Sequence, residues 1–245
     1  MDESIKRLRE IVAGSKNVCV FTGAGISCPS GIPDFRSAHG LYNQSGREGY
    51  TPEQIISHSF FEEKPELFYQ FYKEKMLYPD AQPNDAHLFF AGLEKRGKNV
   101  SVVTQNIDGL HQKAGSTRVM ELHGSVHRNH CTKCGKFYSL EDILKSEGVP
   151  RCDLDGGIIK PDVVLYEEPL DSGTIYRTID AIAGADTLLV VGTSLMVYPA
   201  ASFIRYFRGK NLVLINQSAT SFDSGASLVI NDDIVRVVRQ LQSKE

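Results

Sequence analysis

Four short runs constrain the fold more than anything else in the chain: NVCVF (17–21), VSVVT (100–104), TLLVVGT (187–193) and NLVLI (211–215). They are continuous in β-branched and aliphatic residues rather than alternating, as strands are when both faces of a sheet are covered. Segments with helical spacing lie between or after them, at 84–96, 172–184, 198–208 and 232–243. Strand and helix in alternation predict an α/β fold around a parallel sheet. Two stretches break the rhythm: 35–83, rich in aromatics at helical spacing, and 126–166, which holds three of the five cysteines. No repeat, low-complexity tract or flexible linker separates them from the rest, so both read as insertions packed together as a smaller lobe.

The charge balance narrows the function classes. Lysine and arginine nearly cancel aspartate and glutamate, for a net charge of −3, which gives no field to argue for nucleic-acid or membrane binding. The opening MDESIKRLREIVAGSK places Ile5, Leu8, Ile11 and Val12 at helical spacing among charges and lacks the apolar stretch of a signal peptide. No run approaches the ~18 apolar residues of a membrane span. An odd number of cysteines without a secretion signal favours metal ligands or free thiols over a disulfide framework. A soluble cytoplasmic protein is expected.

Polar groups gather at the strand ends. The first strand runs into TGAGIS, Thr22 to Ser27, where glycines at a helix start would let backbone N–H groups approach a phosphate. The third glycine of an ordinary dinucleotide fingerprint is replaced by Cys28, and no second strand ends in an acid. A purely structural tight turn is the alternative. GIPDFR (31–36) then brings Asp34, Phe35 and Arg36 to the same region. TQNIDGLH (104–111) ends the second strand, so Gln105, Asn106 and Asp108 project towards the crevice beyond the carboxyl edge of the sheet. Asp108 as a mere helix cap is the competing reading. GTSL (192–195) and Ile215-Asn216 repeat the arrangement, and four polar strand ends converging exceed what capping alone requires.

GAGIS, GIPDFR, TQNID, ELHGS, a Cys-x-x-Cys module and GTSL, in this order, resemble the sirtuins, the NAD-dependent protein lysine deacylases, over roughly residues 15 to 240. The resemblance implies a Rossmann-like parallel sheet with helices on both faces (1–34, 84–125 and 168–245) and a smaller lobe made of a helical insertion (35–83) and a zinc-binding module (126–167). It implies that an acyl-lysine oxygen attacks the nicotinamide ribose of NAD, releasing nicotinamide and 2′-O-acyl-ADP-ribose, in a site kept free of water. Phe35 matches the family's aromatic shield, and His123 matches its general base, a task suited to an imidazole. Asn106 joins His123 as a catalytic residue. The implied NAD contacts are Gly23, Ala24, Gly25, Ser27, Asp34, Phe35, Arg36, Gln105, Asn106, Ile107, Asp108, Gly192, Thr193, Ser194, Asn216, Gln217 and Asp233.

The partners implied are acylated lysine-containing proteins or peptides. KPDVVLYEE (160–168) is similar to the strand that pairs with the substrate backbone, through Val163, Val164, Leu165 and Tyr166, although Glu167 stands where the family usually has glycine. Tyr69 and Tyr72, in FYQFYKEK (68–75), are expected to line the acyl pocket. Because Tyr72 replaces the arginine of sirtuins that accept acidic acyl groups, acetyl or other neutral acyl groups are expected.

The stretch ELHGSVHRNHCTKCG (121–135) also carries a metal signal. Cys131 and Cys134 have zinc-knuckle spacing, and a second Cys-x-x-Cys is expected downstream. The chain departs from that pattern, because Cys152 is followed three positions later by Asp155. Asp155 supplying an oxygen to a Cys₃Asp site is the favoured reading. His127 or His130 reaching in, or a weakly held or absent metal, are the alternatives. A zinc ion enclosed by four protein ligands has a structural role.

Functions of other classes compete. A dehydrogenase needs an ordinary second strand ending in an acid, which is missing. A non-catalytic NAD or ADP-ribose binder has no use for His123. A mono-ADP-ribosyltransferase begins with the same loss of nicotinamide and differs in the attacking group.

Overall fold

The computed structural model describes residues 3–35, 40 and 49–243. In chain order the strands are β1 (Asn17–Thr22), β2 (Asn99–Thr104), β3 (Val119–Glu121), β4 (Gly124–Cys131), β5 (Phe137–Ser139), β6 (Ile159–Val163), β7 (Thr187–Val191), β8 (Asn211–Ile215) and β9 (Leu228–Ile230). The helices are α1 (Glu3–Gly14), α2 (Pro52–Ile55), α3 (His58–Glu63), α4 (Pro65–Lys75), α5 (Asp85–Lys95), α6 (Leu110–Lys113), α7 (Leu140–Lys145), α8 (Ser172–Ala183) and α9 (Ile234–Gln242).

The larger sheet has the order β3-β2-β1-β7-β8-β9, and every pair in it is parallel. With β2 and β3 laid outward on one side of β1 and β7, β8 and β9 on the other, the order reverses between β1 and β7, the doubly wound arrangement that opens a ligand crevice at the strand ends. The continuous apolar runs are explained by two covered faces. Val18 and Val20 of β1 pack with Leu8 of α1, Phe90 of α5 and Val238 of α9 in one core. Cys19 and Phe21, the intervening residues, belong to a second core with Ile182 of α8 and Ile204.

The segment expected as a helix at 198–208 is a 3₁₀ helix, Ala200–Tyr206. Its buried residues fall at Ala200 and Phe203 and at Ala201 and Ile204, a three-residue spacing that matches three residues per turn. The strands β3 and β9, three residues each, are too short to show any periodicity. Neither falls within the four apolar runs that mark the other strands of this sheet.

A separate antiparallel sheet, β5-β4-β6, forms the smaller lobe. The aromatics of the helical insertion account for its core: Phe60, Phe61, Phe68, Tyr69, Phe71 and Tyr72 pack against Val126 of β4, Ile143 of α7 and Ile159 and Val163 of β6. Phe68 and Tyr72, one helical turn apart on α4, stack with centroids 5.5 Å apart. No helix among the described residues is long and apolar enough to cross a membrane.

Candidate active site

The two sheets face one another across a cleft of about 600 Å³, within the range of small-molecule sites. Its floor is the point where the strand order reverses. The loops after β1 and β7 touch there: Gly25 N–H donates to the Gly192 carbonyl at 2.9 Å. Gly192 has φ +60, and a Cβ on it would sit 2.5 Å from Ile26 N, so only glycine lets the loops meet. The glycine loop does not open the helix that TGAGIS suggests. Two single 3₁₀ turns follow, Ala24–Ile26 and Cys28–Ser30, so the loop's own backbone, rather than a helix dipole, faces the crevice.

The polar residues after β2 are wired to both loops. Gln105 donates through Nε2 to Thr193 Oγ1 at 3.1 Å. Asn106 Nδ2 donates to Ser27 Oγ at 3.0 Å, and the Ser27 hydroxyl donates to Asp108 Oδ2 at 2.7 Å. Asp108 also accepts the Leu110 N–H, the first of α6, at 2.9 Å through Oδ1, and it lines the cleft at the same time. Burial pushes its carboxyl above the ordinary range, against hydrogen bonds from Leu110, Ser27 and Asn106 that lower it.

His123 follows β3 by two residues and lines the cleft. Its Nδ1 lies 2.9 Å from the Gln105 carbonyl. A carbonyl only accepts, so Nδ1 carries the proton and Nε2 is left as an acceptor. Burial lowers its pKa, partly offset by the bond to Gln105. The next residue, Gly124, has φ +76, and a Cβ there would lie 1.9 Å from the Asp162 carbonyl. Glycine after His123 therefore lets β4 close on β6, where Val164 N–H donates to the His123 carbonyl at 3.0 Å.

Gly23, Ala24, Asp34, Phe35, Ile107, Ser194, Asn216, Gln217 and Asp233 line the same cleft, as do Val163, Val164, Leu165 and Tyr166 from the opposite wall. Arg36 lies outside the described residues. Tyr69 and Tyr72 are a correction. Both side chains are fully buried in the small-lobe core, because α4 turns that face onto β6, where the Tyr69 hydroxyl donates to the Ile159 carbonyl. The residues of this segment that reach the cleft are Lys75, Met76 and Tyr78, just past that face. His127 and Tyr198 also line it. The motifs give no hint of these: Lys75, Met76, Tyr78 and His127 follow from how the insertions fold back, and Tyr198 from the segment after the β7 loop.

The cysteine module forms a second, separate cluster. One ligand atom from each of Cys131, Cys134, Cys152 and Asp155 lies within 4.8 Å of all the others, and none of the four lines the cleft. The halves are built alike. Gly135 N–H donates to the Cys131 carbonyl and Gly156 N–H to that of Cys152, while Lys133 N–H and Leu154 N–H point at the Cys131 and Cys152 sulfurs, each at 3.4 Å. Asp155 thus occupies the place of a fourth cysteine. Cys134 Sγ and Cys152 Sγ are 3.6 Å apart, too far for a disulfide and close to the separation of thiolates sharing tetrahedral zinc. The donor set fits zinc. His127 instead bonds the Asp108 carbonyl at 3.1 Å and His130 packs on Phe137, so neither histidine belongs to the cluster.

A parallel sheet with its crevice at the reversal point, joined to a lobe that carries a zinc-type cluster, defines a dinucleotide-binding protein of two lobes. The chain belongs to the Sir2 family, whose profile matches residues 23–199. It is 60% identical over 239 residues to an NAD-dependent protein deacetylase of Clostridium perfringens, covering 97% of this chain and 98% of that protein. A solved Sir2 structure with a peptide and NAD+ superimposes with a TM-score of 0.84 at 40% identity, over 97% of this chain and 96% of the other. A Sir2 bound to an acetylated peptide gives 0.84 at 39% identity, with the same coverage.

Proposed function

We propose that this protein removes acetyl or other neutral acyl groups from protein lysines at the expense of NAD, releasing nicotinamide and 2′-O-acyl-ADP-ribose. The single observation that supports the reading most is the His123 imidazole, held by the Gln105 carbonyl with Nε2 free to accept a proton inside the cleft. Full-length relatives named as NAD-dependent protein deacetylases support the same conclusion.

NAD bound in the crevice supplies an electrophilic ribose carbon with nicotinamide as its leaving group. The loop from Gly23 to Ser27, Thr193 and Ser194, and Asn216, Gln217 and Asp233 bind the dinucleotide along the strand ends. Asn106 and Asp108, fixed through Ser27, orient the nicotinamide ribose, with Gln105 and Ile107 alongside. Phe35 excludes water from the reacting carbon. His123 Nε2 takes the proton that a ribose hydroxyl must lose, a step in which a positioned base is worth roughly 10²–10⁴ in rate. Val163 to Tyr166 pair with an extended peptide, which sets affinity mainly through main-chain bonds.

Cys131, Cys134, Cys152 and Asp155 would hold zinc with all positions filled by protein, so the ion ties β4 to the 152–157 turn and does no chemistry. Five free thiols, three of them in that cluster, fit a reducing compartment, and the proposal places the protein in the cytoplasm.

The deciding experiment is incubation with an acetyl-lysine peptide and NAD followed by mass spectrometry. Nicotinamide with acetyl-ADP-ribose is the expected result. Protein or peptide gaining ADP-ribose would overturn it in favour of transfer, and NAD binding without turnover would leave a binding protein.

A further inference from the structure

The peptide-facing wall is fastened to the helical insertion at an unusual point of the backbone. Glu167 has φ +76, a conformation that glycine adopts freely and a long side chain seldom does. Its carboxylate reaches the first turn of α3, accepting the Ser59 N–H at 2.9 Å and the Ser59 hydroxyl at 3.0 Å. The neighbours on each side hold the same seam. Tyr166 N–H donates to the Ile56 carbonyl at 3.1 Å and its carbonyl accepts the His58 N–H at 3.0 Å. Glu168 accepts the Leu165 N–H at 2.8 Å and pairs with His58 at 2.7 Å and Lys160 at 3.0 Å.

Leu165, Tyr166 and Glu167 line the cleft together with Ile56, so this seam joins the strand edge offered to the peptide to the helices opposite. A left-handed residue with a side chain persists only where its surroundings over-determine it. Here the two bonds to Ser59 supply that constraint. We infer that Glu167 is a positioning residue: its carboxylate, aimed at Ser59 by the left-handed turn, fixes the Val163–Tyr166 edge before substrate arrives. The inference rests on the deacetylase reading for its kinetic consequence and on geometry alone for the tether.

Three variants test it. Glu167→Asn tolerates the backbone conformation but is too short to reach Ser59, Glu167→Gly relaxes the backbone and removes the tether, and Glu167→Gln keeps one acceptor oxygen. Loss of a preorganised edge is expected to raise KM for an acetyl-lysine peptide about fivefold or more in Asn and Gly, with kcat within about twofold and KM for NAD unchanged, and Gln falling between. Hydrogen exchange of the Ser59 amide in the substrate-free protein is expected to quicken in Asn and Gly. Unchanged peptide KM in an active enzyme, or unchanged exchange at Ser59, would overturn the inference. Wild type that turns over no acetyl peptide would instead defeat the deacetylase reading, while the exchange measurement still decides the tether.

Discussion

His123 Nδ1 donates to the main-chain carbonyl of Gln105 at 2.9 Å, so the imidazole is oriented by a group that cannot itself titrate. The base form is the neutral ring. Burial lowers its pKa, with the Gln105 bond acting in the opposite direction, so the ring stays neutral below the ordinary histidine value near 6.5. The acid limb of kcat/KM is therefore expected to have its midpoint below pH 6.5. His123→Ala should lose roughly 10²–10⁴ in kcat while still binding NAD. A pH–rate profile with calorimetry of NAD binding checks both, and a limb centred above 6.5 would contradict the assignment.

Beneath the cleft-lining loops after β1 and β2, His87 and His111 lie fully buried with ring centroids 4.8 Å apart. His111 Nε2 contacts Thr22 Oγ1 and His87 Nδ1 accepts the Asn84 N–H. Burial holds His87 down at about 4, and His111 is lowered well below the usual range by burial and then by His87. Both are neutral in the folded protein, whereas the unfolded chain takes up protons near 6.5. Below that pH the unfolded state binds more protons, so stability falls as pH falls, by about 1.4 kcal/mol per pH unit for His87 between roughly 6.5 and 4. Thermal melts from pH 7.5 to 5 should show the decline. His87→Gln keeps an acceptor for Asn84 N–H and should flatten part of it.

The Tyr69 and Tyr72 hydroxyls differ in a way that separates a core role from a substrate role. Tyr69 donates to the Ile159 carbonyl, whereas the buried Tyr72 hydroxyl has no partner among the described residues. Tyr69→Phe should cost about 1 kcal/mol, and Tyr72→Phe should be neutral or stabilising. Peptide KM should stay within twofold of wild type for both, on the ordinary scatter of uninvolved sites. A large KM change for either variant would return that tyrosine to the substrate.

Acyl selectivity follows from the charges on the cleft wall. Lys75 is the one lysine or arginine among the described residues that lines it, and its ammonium is 3.2 Å from Glu74. A second carboxylate on the acyl group would meet no bidentate partner. Acetyl-lysine peptide should be turned over at least ~10-fold faster than its succinyl counterpart, the loss of about 1.4 kcal/mol expected for one unmade charged hydrogen bond. Comparable kcat/KM for the two peptides would refute this.

Much of this was legible in the sequence because the chemistry sits at strand ends. Continuous runs such as NVCVF mark doubly covered strands, and the polar residues that follow them, Gln105 to Asp108 and Gly192 to Ser194, can only face the crevice once the sheet is parallel. Asp155 was legible because knuckle spacing is a local constraint that survives a change of ligand. The helical insertion was not legible in the same way. Aromatics at helical spacing say that a face is buried, not what buries it, so Tyr69 and Tyr72 read as pocket residues when β6 covers them. Lys75, Met76 and His127 enter the cleft through long-range folding of the small lobe, and no local pattern encodes that. Glu167 was visible as a missing glycine, but its bonds to Ser59, more than a hundred residues away in sequence, were not.

The Cys₃Asp cluster carries the last prediction. Its two halves share one backbone geometry, with Asp155 Oδ1 receiving the Gly157 N–H at 2.9 Å and lying 3.2 Å from Cys131 Sγ. A carboxylate oxygen is a harder and less tightly held zinc ligand than a thiolate. Purified protein should hold roughly one zinc per chain yet release it to a chelator faster than an Asp155→Cys variant, which completes four thiolates in the existing knuckle. Asp155→Ala should lose most of the metal and lower Tm, because zinc binding here is folding free energy for β4 and the turn that carries Cys152. Metal analysis after dialysis against a chelator, paired with thermal melts, reads both. If Asp155→Ala kept full zinc and an unchanged Tm, the carboxylate would not be a ligand. If Asp155→Cys released zinc as fast as wild type, the softness argument would fail even with the ligand set intact.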